Sequence, residues 1–131
     1  MPPVPAAGRL IKAADELRVS TNDVRPLFSL ATMDPEYSVE QTGERPLAEL
    51  AHLLRRLAQL TWGQIQSRNR RQLGHEQMPR DQLKPSVVGQ VPEDRTALVF
   101  RAGEHVRVIG YRDGAVLHVV AVDHDLSTYS H

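Results

Sequence analysis

The segment 97–131 concentrates side chains that could bind phosphate or transfer a proton. Three β-rich runs, separated by glycine turns, carry arginines, a histidine and a tyrosine. Arginine presents several N–H donors in a planar fork that matches phosphate oxygens, and a tyrosine can stack on a nucleic-acid base. The pattern indicates binding of a nucleic-acid backbone, or stabilisation of the pentacovalent phosphate formed during its cleavage. The residues concerned are Arg101, Arg107, Arg112, His118 and Tyr129.

Each of these residues also has a structural interpretation that the sequence leaves open. The arginines could be ordinary solvent-facing residues of a half-exposed sheet, and Tyr129 could pack the chain end onto the core. His118, on a mostly apolar strand, is more typical of a core histidine than of a catalyst. In the run Asp123-His124-Asp125, neighbouring side chains of a strand point to opposite faces. We therefore predict no metal site, and no motif indicates a cofactor.

Charge is balanced over the whole chain but not along it. The 131 residues contain 16 Lys and Arg against 16 Asp and Glu, for a net charge of zero. Within 55–84, seven basic residues stand against two acidic ones. Such a stripe can attract a polyanion, although it is also typical of a solvated helix end. Its basic residues are Arg55, Arg56, Arg68, Arg70, Arg71, Arg80 and Lys84.

Length and composition favour one intracellular domain. A chain of 131 residues can bury a substantial core, and we expect a flexible tail over 1–8 followed by a single domain over 9–131. The absence of cysteine excludes disulfides and thiolate zinc sites. No apolar run approaches the roughly 20 residues that span a bilayer, and the N-terminus lacks the apolar core of a signal peptide. The expected location is the cytoplasm.

Hydrophobic spacing predicts helices in the first half of the chain. Residues 9–18 show helical spacing, and the alternation over 27–33 indicates a strand. A wide leucine stripe over 46–60 predicts the strongest helix. Thr61 and Gln64 form a capping-box pattern, so 46–69 should contain two helices with a break near Leu60.

The second half predicts an antiparallel meander. Asp113-Gly114 is a favourable two-residue hairpin turn, because both residue types tolerate a positive φ. In the last strand Leu117, Val119 and Ala121 alternate against Val116, His118, Val120 and Val122. It is therefore nearly apolar on both sides and should be a central strand covered on both faces. We therefore predict an α+β fold in which an antiparallel or mixed sheet of four to five strands packs against one or two helices.

A resemblance extends these expectations. The motifs LTWGQI, GHEQMPRDQLK, VFR and RVIGYRDGAVLHVVAVD, followed by Tyr129, resemble a family of small bacterial and phage-borne proteins. The order of elements is similar to that of RelE/ParE-type toxins, which include ribosome-dependent messenger-RNA endonucleases. The resemblance implies a toxin–antitoxin setting, with RNA or the ribosome as target and an antitoxin-like protein as partner.

The resemblance to these toxins also implies metal-free RNA cleavage, in which the 2′-hydroxyl attacks the neighbouring phosphate. The implied catalytic residues are Arg107, Arg112 and Tyr129, and the implied RNA-binding residues are Arg68, Arg70, Arg71 and Arg101. The chain departs from related sequences, which commonly have an aromatic residue where it has Ala121. They also have a basic or histidine residue just before the final tyrosine, where it has Leu126-Ser127-Thr128. A protein that binds nucleic acid without cleaving it is therefore an alternative.

A non-enzymatic interaction module is the second alternative. The leucine stripe of 46–60 would dock a partner helix if it were exposed, whereas it would cover the sheet if it were buried. A weaker pattern over AADELRVSTNDVRPL resembles a helix-turn-helix, but Pro26 would interrupt its second helix. The substrate, the partner and the oligomeric state are not specified by the sequence.

Overall fold

The structure is a computed structural model, and it describes residues 21–68 and 75–128. The predicted tail over 1–8, the predicted helix over 9–18, and Arg70, Arg71 and Tyr129 lie outside the described residues.

Five strands form one mixed sheet, which confirms the predicted α+β class. The spatial order is β1-β5-β4-β3-β2, with β1 parallel to β5 and every other pair antiparallel. The last strand is thus internal, as predicted. β1 is shorter than the predicted 27–33, because the chain turns at Ala31. The strands are β1 (Leu27–Ser29), β2 (His75–Met78), β3 (Ala97–Arg101), β4 (Arg107–Asp113) and β5 (Val116–Asp123).

Two helices pack against one face of the sheet, and both follow the predicted pattern. Helix α1 spans Glu44–Leu57 and helix α2 spans Trp62–Ser67. Between them, Thr61 Oγ1 accepts from the Gln64 amide while Gln64 Oε1 accepts from the Thr61 amide, which confirms the capping box. The apolar stripe of α1 is buried through Leu50, Leu53 and Leu57, with Leu47 and Leu54 packed beside them.

The other face is covered by short elements. A third helix, α3 (Pro85–Val88), and the 3-10 helices Pro35–Tyr37 and Arg80–Gln82 cross it. Tyr37, Leu83, Val87 and Val91 pack there against inward residues of β3, β4 and β5. We call the side packed by α1 and α2 the helix face and this side the second face. Both faces of β5 are therefore buried, as predicted.

A β-bulge corrects the predicted faces of β5. Ile109 pairs with Ala121, but Gly110 pairs with Val119, so Val120 is an extra residue. Because an extra residue reverses the alternation, Ala121 faces the second face instead of sharing a face with Leu117. A Cβ on Gly110 would collide with the His118 carbonyl oxygen, so the bulge also requires glycine at that position.

The β4–β5 turn lies one residue beyond the predicted position. Asp113 is the last residue of β4 and pairs with Val116, so Gly114 and Ala115 are the two turn residues. Gly114 has φ +61° and, among the described non-glycine residues, only Leu126 has positive φ. A two-residue turn with glycine first is the type II′ arrangement. Asp113 therefore does not need a left-handed conformation.

Candidate functional site

The two arginines of β4 that were predicted to be catalytic do not converge. Arg107 is in register with Arg101 on β3, and both side chains belong to the second face. Arg112 is five residues further on, so the pleat directs it to the helix face, where its guanidinium carbon lies 4.4 Å from the Trp62 ring centroid. Five residues of strand span roughly 17 Å. One phosphate cannot contact both side chains, because Arg112 lies on the opposite face of β4 from Arg107.

Arg101 and Arg107 form a cation pair at one end of the sheet. Arg101 is exposed and has no hydrogen-bond or ion-pair partner within the described part of the chain. Arg107 Nη1 donates to the carbonyl oxygens of Gly103, Glu104 and Val106 at 3.0–3.2 Å, which closes the β3–β4 connection. Its Nε and Nη2 groups donate to no described residue. Like charges directly opposite each other destabilise a sheet, so an anion placed between them would relieve repulsion.

The chain after β5 folds around a buried carboxylate next to this pair. Asp123 is in register with Arg107 and is fully buried. Its oxygens accept from the amides of Asp125, Ser127 and Thr128 and from the Thr128 hydroxyl at 2.6–3.1 Å. Burial raises the pKa of this carboxyl, but the hydrogen bonds from Thr128 and the neighbouring amides outweigh burial and hold the pKa below its ordinary value. We call the region formed by Arg101, Arg107 and residues 123–128 the loop end.

Backbone strain marks the same region. Leu126 adopts φ +59°, a left-handed conformation that costs roughly 1–2 kcal/mol for a residue with a Cβ. Such strain persists only where surrounding contacts impose it, and it is concentrated at functional sites. Here the contacts are the four hydrogen bonds to Asp123, which fix the chain on both sides of Leu126.

A chain of polar side chains joins this loop to the second face. Lys84 Nζ donates to Tyr37 Oη at 3.0 Å, Tyr37 Oη lies 2.9 Å from Ser127 Oγ, and Ser127 Oγ donates to Asp125 Oδ1 at 2.6 Å. Because the Ser127 hydrogen is directed at Asp125, the Tyr37 hydroxyl donates to Ser127. Every hydrogen bond thus runs from the ammonium towards the carboxylate.

No sequence pattern indicates this chain of residues, since its members come from three separate segments. Hydrogen bonds to Tyr37 and to Glu36 raise the pKa of Lys84, so the ammonium end stays charged at neutral pH.

The opposite end of β4 holds Arg112 in a different setting. Besides stacking on Trp62, its Nε donates to the Gly114 carbonyl at 2.8 Å and its Nη2 to Thr21 Oγ1 at 3.1 Å. Burial lowers the pKa of Arg112, but a guanidinium remains charged near neutral pH. We call this region, with Gly114 and Trp62, the hairpin end. Its arginine is held by structural contacts, although it also borders a polar groove.

The remaining predicted residues are dispersed. Arg68 is exposed directly after α2, on the helix side of the sheet rather than beside Arg101. Tyr129 lies outside the described residues, but the preceding Thr128 is buried and its carbonyl accepts from the Lys84 amide at 2.6 Å. His118 stacks on Tyr111 with ring centroids 4.6 Å apart, and its buried Nδ1 has no hydrogen-bond partner among the residues that the structure describes.

Three further findings assign no function to the protein. Over residues 21–68 and 75–128, no group of three or more His, Cys, Asp or Glu side chains could hold a metal ion. The helices in those ranges include none with the length and apolar character needed to cross a membrane. No family model, curated protein or solved structure matches the chain.

Proposed function

We propose that the protein binds RNA at the loop end, with the sugar–phosphate backbone held by Arg101 and Arg107. The observation that carries this proposal is the cross-strand arginine pair, in which Arg101 has no partner among the described residues. Two cations on one face suit a phosphodiester, because arginine donates in a planar fork that matches phosphate oxygens. Strain at Leu126, three residues after the Asp123 that pairs with Arg107, supports the same location.

The activity we propose at this surface is metal-free cleavage. The 2′-hydroxyl would attack the adjacent phosphorus while the bond from phosphorus to O5′ breaks, leaving a 2′,3′-cyclic phosphate and a 5′-hydroxyl. A base must take the 2′-hydroxyl proton and an acid must supply one to O5′. Asp125 and Lys84, at the two ends of the hydrogen-bonded chain, have the required charges. Arg101 and Arg107 would stabilise the negative charge that accumulates on phosphorus oxygens.

Salt-dependent RNA binding tests the first half of this proposal. For a single strand, each lost phosphate contact should lower the slope of log affinity against log salt by about 0.7. We expect that change for Arg101→Ala, measured by fluorescence anisotropy with a labelled oligoribonucleotide. The matched control is Arg56→Ala, which removes an exposed arginine from α1 on the other side of the sheet. Equal slopes for wild type and Arg101→Ala would exclude a phosphate contact there.

Cleavage is tested separately, with and without ribosomes. Wild-type protein should produce fragments ending in a 2′,3′-cyclic phosphate in the presence of a chelator. Lys84→Met and Asp125→Asn should slow cleavage more than they weaken binding, whereas Arg101→Ala should weaken both. Binding without cleavage in both settings would remove the nuclease and leave an RNA-binding protein.

A docking edge is the second candidate function. The leucine stripe of α1 is buried, as the structural interpretation predicted, so it cannot dock a partner helix. Among the described residues, the exposed large apolar side chains lie at and around edge strand β1: Leu27 is 64% exposed, and Val24 and Leu30, on either side of the strand, are 40% and 46% exposed. Edge strands can accept a strand from a partner. Leu27→Lys would abolish such an interaction without affecting RNA binding, which distinguishes the two functions in a single variant.

A further inference from the structure

A polar groove lies at the hairpin end, away from the proposed RNA-binding surface. Its volume is about 700 Å³, which falls within the usual range of small-ligand sites. Four elements contribute to it: the 3-10 helix Thr21–Asp23, helix α2, the segment before β3 and the β4–β5 turn. The side chains that line it are those of Thr21, Asn22, Gln66, Arg95, Arg112 and Asp113.

Two guanidinium groups are already fixed in this groove. Arg112 is held by the Trp62 ring, the Gly114 carbonyl and Thr21, and its Nη1 has no hydrogen-bond partner within the described residues. Arg95 Nη2 contacts Asp113 Oδ1 at 2.9 Å. Arg95 Nη1 also lies 3.9 Å from Asp94 Oδ2, an exposed carboxylate that is not part of the lining. The lining itself contains two cations and one carboxylate, so it carries a net positive charge. Cations that are fixed before binding lose less conformational entropy when an anion arrives.

Two carboxamides complete the lining. Asn22 and Gln66 are exposed and come from different elements. Each offers an N–H donor pair and a carbonyl acceptor, the combination that pairs with the donor–acceptor edge of a nucleobase. Amides together with arginines therefore match a ligand that has a heterocyclic edge and a phosphate. An anion alone would need only the arginines.

We propose that this groove binds a nucleoside monophosphate, with the phosphate at Arg95 and Arg112 and the base edge at Asn22 and Gln66. The site is independent of RNA binding at the loop end, because Arg112 and Arg107 point to opposite faces of β4. Occupation would also be visible spectroscopically. Trp62 is the single tryptophan of the chain, and the Arg112 guanidinium lies directly on its ring.

Titration of the full-length protein with adenosine 5′-monophosphate tests the proposal. Calorimetry should show binding, and the Trp62 emission should change along the same isotherm. Arg95→Gln should weaken binding about tenfold, as expected for one hydrogen bond to a charged group. Its ion pair with Asp113 is solvent-accessible, so its removal should leave the fold intact. Gln66→Ala should weaken binding about fivefold, as expected for one neutral hydrogen bond.

Three controls define the ligand class. Arg56→Ala, which removes an arginine remote from the groove, should leave the affinity unchanged. Inorganic phosphate and adenosine should each bind more weakly than the nucleotide. Phosphate that binds as tightly as the nucleotide would overturn the proposal, because the amides would then contribute nothing. The absence of binding heat at millimolar nucleotide, or an unchanged affinity in both Arg95→Gln and Gln66→Ala, would overturn it as well.

Discussion

The two ends of β4 both combine a residue of positive φ with an arginine, but the structural setting of these residues differs between the ends. Each end contains a residue with φ near +60°: Gly114 at the hairpin end, with φ +61°, and Leu126 at the loop end, with φ +59°. Glycine adopts this conformation without steric cost, whereas leucine does so at a cost. Each end also contains an arginine. Arg112 stacks on Trp62 and donates hydrogen bonds to Gly114 and Thr21, whereas Arg101 is exposed and lies opposite a second cation.

The difference between the two ends indicates which of them contains features that lower the free energy of unfolding. At the hairpin end two features favour folding: a glycine in the turn, and an indole N–H that donates to the Ala115 carbonyl at 2.8 Å. The loop end combines a strained leucine with a like-charge pair. Features that oppose folding persist where function requires them, which is why we place RNA binding at the loop end.

The largest expected effect concerns the anchor of the hairpin end. Trp62 is 1% exposed and contacts both the Arg112 guanidinium and the turn. Trp62→Ala should lower the free energy of unfolding by about 3–5 kcal/mol, measured by urea denaturation followed by circular dichroism. Trp62→Phe keeps part of the packing but loses the hydrogen bond, so it should cost less. A loss below about 1 kcal/mol for the alanine variant would mean that this end is not anchored through Trp62.

Removing the charge at the loop end should have the next largest effect. Asp123→Asn replaces one of the two acceptor oxygens with a donor that faces N–H or O–H groups, so we expect a loss of about 2–3 kcal/mol. The pKa of Asp123 is held below its ordinary value in the folded protein. Its contribution to stability is therefore complete above about pH 4 and is lost as the pH falls through the folded-state value.

The pH dependence separates this role from a general packing defect. Wild type and Asp123→Asn should differ most near neutral pH and converge as the solution becomes acidic. A constant difference from pH 7 to pH 3 would show that the charge does not hold the loop.

Exchanging the two left-handed residues tests the comparison directly. Leu126→Gly should relieve strain and stabilise the protein by up to about 1 kcal/mol, reduced by the greater entropy of glycine in the unfolded chain. Gly114→Ala should destabilise it by about 1 kcal/mol. Nothing lies within 4 Å of the added Cβ, so conformation alone sets that cost. Thermal melting shows whether each variant is more or less stable than the wild type. A change in the same direction for both variants would contradict the assignment of strain to Leu126.

Local patterns in the sequence predicted most of the fold. The stripe of α1, the capping box at Thr61 and the antiparallel order of β3, β4 and β5 depend on neighbouring residues, so they were predictable. Strand β2 and the parallel pairing of β1 with β5 were not predicted. The face of Ala121 was not, because one extra residue at Val120 reverses the alternation and leaves no mark in composition. The candidate site likewise depends on tertiary contacts that no local sequence pattern reveals. Arg101 and Arg107 meet through strand pairing, and Tyr37 meets Ser127 across 90 residues.

The smallest expected effect on stability is the most informative about function. Arg101 faces Arg107 across the β3–β4 pair and has no partner within the described residues, so Arg101→Ala should stabilise the protein by a few tenths of a kcal/mol. Added salt screens exposed charges. The wild type should therefore gain slightly more stability than the variant between low and moderate salt, in paired urea titrations.

Arg56→Ala is the control for removal of an exposed arginine, and it should not share this salt dependence. Arg107→Ala provides the opposite contrast, because it also removes the hydrogen bonds that close the β3–β4 connection and should destabilise the protein. A variant at position 101 that folds better and binds RNA worse is expected only if that arginine serves binding rather than folding. If Arg101→Ala is less stable than the wild type, the pair does not repel, and the loop end loses the feature that distinguishes it from the hairpin end.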